Sequence, residues 1–393
     1  MTSPTRRRTA KRRRRKLNKR GKLLLGLIAA LICFTIWNAL HRNSEENEPS
    51  QETAAVSDTG QKKEVKKKTA EKTEEQIKTV DRNQKISNYL KEIGFSGTAM
   101  IVRNGEVITN KGFGYADRKQ HIQNNPLTSY YIGSSQKALI ATAILQLEEK
   151  GKLQTSDPVS TYLPHFPNGQ TITLKNLLTH TSGINGHIEG NGEITPDDLI
   201  KDIERQGIKR QPGVWDYKDS NYSVLAYIVA EVSGESYEQY ITNHIFKPAG
   251  MTHAGFYKTY DKESYPAVGY KLKGGRAVTP YMPDLSQLYG AGDIYMSAID
   301  MYKFDQALID GKLYSQKSYE KMFTPESSST YGMGFYVAPG SYSNHGVMPG
   351  FNILNSFSKS GQTVVVLLSN IQNNAKLGQV NNKIYQLLNQ NDS

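Results

Sequence analysis

The sequence predicts an α+β fold: one antiparallel sheet built from both ends of the folded region, flanked by helices, with a helical lobe inserted between. Three observations carry this expectation. Residues 97–103 and 363–369 are short β-branched runs near opposite ends of the chain. Asn104-Gly105 between apolar runs marks a two-residue hairpin turn. The long middle instead shows helical spacing of its apolar residues.

The first eighty residues read differently. The chain has 393 residues, with 49 Lys and Arg against 37 Asp and Glu, a formal charge of +12. Twelve of the basic residues and no acid fall within 1–22, which leaves 37 against 37 elsewhere. The charge therefore describes a tail, and no nucleic-acid partner is expected from it. Residues 23–40 are almost continuously apolar, long enough to span a bilayer as a helix. We read 23–41 as a transmembrane signal anchor, with the basic tail 1–22 cytoplasmic and the bulk of the chain outside the cell. A cleaved signal peptide is the rival, but 39–41 offers no small-x-small site. Cys33, the single cysteine, lies in this run behind Ile32, too large for a lipidation signal, so the exported part has no disulfide. Residues 42–82 are polar and mixed in charge, a disordered tether of roughly 35 Å as a coil. Residues 83–393 are then the extracellular domain.

Within that domain, a helix at 82–93 leads into strands 97–103 and 106–115. A helix follows at 137–150, then an ordered stretch 153–163 and a helix from Leu174. Residues 184–212 are Gly-rich and charged with one helical piece, and 222–232 and 237–246 read as helices. Strands are expected at 331–339, 351–358 and 363–369, separated by Ser-Gly and Pro-Gly turns, and a helix at 374–389 closes the chain.

Ser134-Ser135-Gln136-Lys137 is the most informative motif. Serine and lysine three residues apart at a helix start share a face within hydrogen-bond reach. A serine hydroxyl becomes a nucleophile when a neighbour takes its proton, and a neutral lysine can do so. The four residues alone are common, so the flanks decide. Gly112-Phe113-Gly114-Tyr115, Ile132-Gly133-Ser134, Leu177-Leu178-Thr179-His180-Thr181-Ser182-Gly183, Pro212-Gly213, Pro248-Ala249-Gly250-Met251, Gly290-Ala291-Gly292 and Pro349-Gly350-Phe351 occur in this order. Together they resemble the class C β-lactamase and low-molecular-mass penicillin-binding protein family of serine hydrolases, over about residues 82–390. Teichoic-acid D-alanine esterases look nearer than true β-lactamases.

The resemblance implies a β-lactamase/DD-peptidase-like fold, a catalytic Ser134 and Lys137, and a second motif Tyr-x-Asn. Here that motif is Tyr217-Lys218-Asp219, with Tyr217 as partner base and later acid. The third motif aligns with Asn344-His345-Gly346, and the sequence leaves open whether Asn344 or His345 fills the cationic position. The N–H groups of Ser134 and Val347 are the implied oxyanion hole. Losing a cation at Asn344 and gaining an anion at Asp219 disfavours a substrate carboxylate. Two carboxylates about 4 Å apart cost roughly 4 kcal/mol at an effective dielectric near 20.

The expected function is therefore a D-alanyl esterase acting on teichoic acid through an acyl-serine. A DD-carboxypeptidase of peptidoglycan and a slowly turning-over penicillin-binding sensor are the alternatives. β-Lactams enter as candidate acylating ligands, and the wall polymer and the lipid bilayer as partners. Neither a cofactor nor a metal is expected. His180 is read as structural, and Trp215 and the many tyrosines other than Tyr217 as packing.

Overall fold

A computed structural model describes residues 78–326 and 328–390. The predicted tail and span, and most of the tether, lie outside these residues. Among the described residues no helix is long and apolar enough to cross a membrane.

The central sheet has seven strands: β1 (Val80–Asp81), β2 (Gly97–Arg103), β3 (Glu106–Phe113), β4 (Tyr336–Val337), β5 (Ser341–Met348), β6 (Phe351–Ser358) and β7 (Thr363–Ser369). Their order is β1-β3-β2-β7-β6-β5-β4, antiparallel throughout. The β2–β7 pairing, Gly97 opposite Ser369 and Arg103 opposite Thr363, joins the two ends of the domain. Asn104 and Gly105 both take positive φ (52° and 77°), which gives the β2–β3 turn a twist that matches its strands.

Strand β7 is apolar on successive residues because both of its faces are covered. Val365 and Leu367 pack with Ile86 and Leu90 of helix α1 (Gln84–Glu92) and with Val380 and Ile384 of the C-terminal helix, Leu377–Asn389. Val364, Val366 and Leu368 face the larger core instead. That core is built on α2 (Lys137–Glu149), α3 (Pro196–Gln206), α4 (Ser220–Ser233) and α5 (Ala298–Ile309). Helix α2 is buried from Lys137 through Leu147, so it is apolar all round rather than amphipathic.

Several expectations change. Val80–Asp81, assigned to the tether, pairs with Thr109 and Asn110 as an edge strand, and Asp81 bonds Lys111 at 2.5 Å. The strand expected at 106–115 ends at Phe113, because Gly114 turns to φ +64°. In 153–163 the helical content is one 3-10 turn, Val159–Thr161. The run 331–339 yields only Tyr336–Val337, while α5 and helix Gln316–Met322 were not anticipated, and β5 was expected only as the strand that carries the third motif. Ser341–Met348 is polar at its start and carries Gly346, so it lacks the apolar alternation that marks a strand.

Candidate active site

Ser134 does not begin an α-helix. It lies in a 3-10 turn, Gly133–Gln136, and α2 starts at Lys137. The spacing still works: Lys137 Nζ donates to Ser134 Oγ at 3.0 Å. The same ammonium donates to Asp219 Oδ1 at 2.6 Å and to the Ala291 carbonyl at 3.0 Å. All three N–H directions are occupied, and the side chain is fully buried.

Burial pushes the Lys137 amine down. The charges and hydrogen bonds of Tyr217 and Asp219 outweigh it, and the net direction is up. Lys137 is therefore held as an ammonium by these two partners, rather than as the neutral amine that a lysine base would need.

Asp219 precedes α4 at the N-cap position, yet its side chain makes no cap bond. Thr195 and Ser297, ahead of α3 and α5, do cap their helices. A missing cap costs a helix about 1 kcal/mol. At Asp219 the carboxylate faces Lys137 instead.

Tyr217 sits beside Lys137, whose Nζ is 5.2 Å from its ring centroid. Tyr217 also stacks on His180 with centroids 4.1 Å apart. His180 adopts a left-handed backbone (φ +54°) and is buried. Its Nδ1 accepts from the Lys218 N–H (3.3 Å) and pairs with Asn221 Nδ2 (3.0 Å). Burial first, and the Lys137 charge second, hold the imidazole well below its usual range, so it is neutral. It has no contact with Ser134 of the kind a triad needs, and it supports Tyr217 from behind.

Strand β5 forms the opposite wall. An added Cβ on Gly346 would lie 1.9 Å from the Ile132 carbonyl oxygen and 3.1 Å from Ser134 N. Only glycine permits that approach. An added Cβ on Gly133 would lie 3.2 Å from Val347 N. The Ser134 and Val347 amides thus border the same small space, as two oxyanion donors must.

Alternation along β5 answers the register question. Asn344 is buried, and both its amide oxygen and nitrogen lack a protein partner. His345 is exposed and bonds Asn352 Oδ1 at 2.8 Å. Asn344 is thus the residue turned into the protein, while His345 stays exposed at the edge of the same cavity.

These groups open into a cavity of about 330 Å³ lined by Ser134, Tyr217, Asn344, His345 and Val347. Trp215, Tyr331, Gly334 and Tyr336 complete its wall. Trp215 was expected to be packing, and the two tyrosines were not singled out. Nothing in sequence marks three aromatics among so many, since a distant fold contact brings them here. The Ala291 carbonyl was missed because backbone acceptors carry no residue signature, although the surrounding Gly-Ala-Gly was noticed. Asp219 borders a second, smaller cavity of about 170 Å³, together with Tyr217, Lys218 and Glu189.

A family model described as Beta-lactamase matches residues 82–390. A Bacillus subtilis (strain 168) protein, provisionally named penicillin-binding protein PbpX, is 92% identical over 390 residues, 99% of this chain and 100% of its own length. Teichoic acid D-alanine hydrolase of Staphylococcus aureus (strain MRSA252) is 31% identical over 338 residues, 82% of this chain and 85% of its own. Among solved structures, FmtA from Staphylococcus aureus aligns with a TM-score of 0.72 at 32% identity, covering 79% of this chain and 92% of that one. A penicillin binding protein from Bacillus halodurans aligns at 0.68 with 26% identity, over 77% and 98%.

Proposed function

The chain belongs to the Beta-lactamase family, as a serine hydrolase related to teichoic acid D-alanine hydrolase, and on that premise we propose that it removes D-alanyl esters from teichoic acid through an acyl intermediate on Ser134. The observation that carries this reading is the chain of contacts Ser134–Lys137–Asp219 opening into an aromatic cavity.

Ser134 Oγ attacks the ester carbonyl, and Tyr217 takes the hydroxyl proton. Lys137, held as an ammonium, keeps Oγ in place. The Ser134 and Val347 amides receive the carbonyl oxygen as it gains charge. The ester C–O bond breaks and Tyr217 returns the proton to the departing polyol oxygen. Water then repeats the sequence on the acyl-serine, releasing D-alanine.

The choice of acyl group rests on charge. Among the described residues that line the main cavity there is no Lys or Arg, so a substrate carboxylate meets no cation there. An ammonium meets aromatic faces and, nearby, the Asp219 carboxylate, 42% exposed. Asn344, buried and without a protein partner for its amide, stands on the strand wall where the family pattern has a cation. A slowly deacylating penicillin sensor is the second reading, because a Lys137 held as an ammonium by Asp219 leaves deacylation without a second base beside Tyr217. We further propose that residues 23–41 anchor the chain in the membrane, with 1–22 cytoplasmic and the enzyme outside, reaching the wall polymer on its tether.

The experiment incubates the full chain with D-alanylated teichoic acid and with muropeptides and measures free D-alanine. Release from the ester polymer, lost in Ser134→Ala, supports the esterase. Far faster release from D-Ala-D-Ala peptides sinks it. Labelling of Ser134 by fluorescent penicillin without turnover of either substrate favours the sensor.

A further inference from the structure

His187 lies between the 170 Å³ cavity beside Asp219 and a larger one of about 710 Å³ along α3. Its side chain is 7% exposed. Nδ1 is 2.5 Å from Asp202 Oδ2, and Nε2 is 2.7 Å from Gln287 Oε1.

An amide beside a histidine ordinarily leaves the tautomer open, because the amide can turn over. Gln287 cannot. Its Oε1 also accepts the Gly190 N–H at 2.8 Å, and its Nε2 donates to the Gly192 carbonyl at 2.5 Å. Turning it would set donor against donor and acceptor against acceptor. Asp202 is an acceptor as well: Oδ2 takes the Ile188 N–H at 3.2 Å, and Oδ1 takes Arg205 and Gln206. Burial raises the Asp202 carboxyl, but the bonds from His187, Gln206, Ile188 and Arg205 outweigh it and bring it to about 2. Both neighbours of the ring being acceptors, both ring nitrogens must donate.

We infer that His187 is a doubly protonated brace, a positioning residue that fixes the 185–192 loop against Asp219 and so completes the pocket for the substrate's ammonium. The link to the site is direct. The His187 N–H donates to Ser220 Oγ at 2.7 Å, one residue after Asp219. An added Cβ on Gly186, which has φ +87°, would sit 3.0 Å from the same oxygen.

The charged groups facing the ring come from three elements. Helix α3 brings Asp198, Lys201, Asp202 and Arg205, the loop brings Glu189, and the start of α4 brings Lys218 and Asp219. The segment carrying Gln287 adds no charge to either cavity. Asp202 favours the charged ring. Arg205 opposes it, but that guanidinium is 77% exposed and turned to the other carboxylate oxygen. Loss of one ring proton would leave a nitrogen lone pair against an oxygen, and the loop must then move.

This inference rests on the reading that the Asp219 carboxylate receives the substrate amine, and its test separates the two. The full chain is labelled with ¹⁵N-histidine, with His187 assigned by comparison with His187→Gln. At neutral pH both ring nitrogens should carry protons. His187→Gln should raise KM for D-alanyl esters about tenfold, as expected for losing a charge-assisted bond, with kcat within about twofold. A bare ring nitrogen at neutral pH overturns the brace, and so does a fall in kcat with KM unmoved. If His187→Gln fails to fold, His187→Asn takes its place for both the assignment and the KM comparison. If no ester is turned over at all, the esterase reading fails, while the ring signals judge the brace by themselves.

Discussion

Two buried polar side chains flank the same cavity and are treated in opposite ways. Lys137, on the helix wall, commits all three donors to Ser134, Asp219 and Ala291. Asn344, on the strand wall, commits neither end of its amide. A buried polar group without a partner costs about 1–3 kcal/mol, a cost that a fold does not keep without a use. The difference separates a committed wall from an uncommitted one: the helix wall holds the nucleophile, and the strand wall keeps a buried amide beside it that no protein group takes up.

Removing the nucleophile should have the largest effect. Ser134→Ala is expected to lower kcat by about 10⁴-fold or more, measured as D-alanine release, with the melting temperature almost unchanged. Tyr217→Phe should lower kcat by about 10²- to 10⁴-fold, the range for general acid–base groups, and KM should stay close to wild type. If Tyr217→Phe were fully active, the proton route would have to run elsewhere.

On the same wall, Asp219→Asn leaves the Lys137 ammonium buried without its counter-charge. Breaking a fully buried pair costs about 3–5 kcal/mol. Asp219 is 42% exposed, and we therefore expect about 2 kcal/mol in a denaturant titration. Asn344→Ala is the matching test of the strand wall. It removes no internal hydrogen bond, so stability should change by less than about 1 kcal/mol, while KM rises about tenfold. Comparable losses of stability in these two variants would erase the distinction between the walls.

The remaining effect is on stability alone and lies behind Lys137. Asp293 is buried and accepts from Gln136, Tyr237 and the Gly290 N–H, which pins the turn that offers the Ala291 carbonyl. Burial raises its carboxyl to about 6, from 3.8, against those hydrogen bonds. With the folded value above the unfolded one, the folded state holds the proton more tightly. This group's stabilisation is full below pH 3.8 and is lost as pH rises through about 6, an amount near 3 kcal/mol. Asp293→Asn should flatten the stability profile by that amount over this window, as read by denaturant titration at several pH values.

Much of this site was legible in the sequence where its logic is local. Ser134 and Lys137 lie three residues apart, and a 3-10 turn brings them together as readily as an α-turn. Tyr217 and Asp219 emerged from their flanks, and the strands β2, β6 and β7 from their β-branched runs and turns. Trp215, Tyr331 and Tyr336 did not, because their meeting depends on tertiary packing in a chain rich in tyrosine. The protonation of Lys137 could be raised but not decided from the sequence, since it depends on a carboxylate 82 residues away. His187 gave no signal for the same reason: its second acceptor lies 100 residues further on. Strand β5 was obscured by Gly346, the residue that lets it approach Ser134.

The most direct test of the account is intact-protein and peptide mass spectrometry of the full chain quenched during turnover of a D-alanyl ester. The account predicts a D-alanyl adduct on Ser134 that disappears as free D-alanine accumulates and never forms in Ser134→Ala. Release of D-alanine at the wild-type rate by Ser134→Ala, or an adduct on another residue, would contradict it.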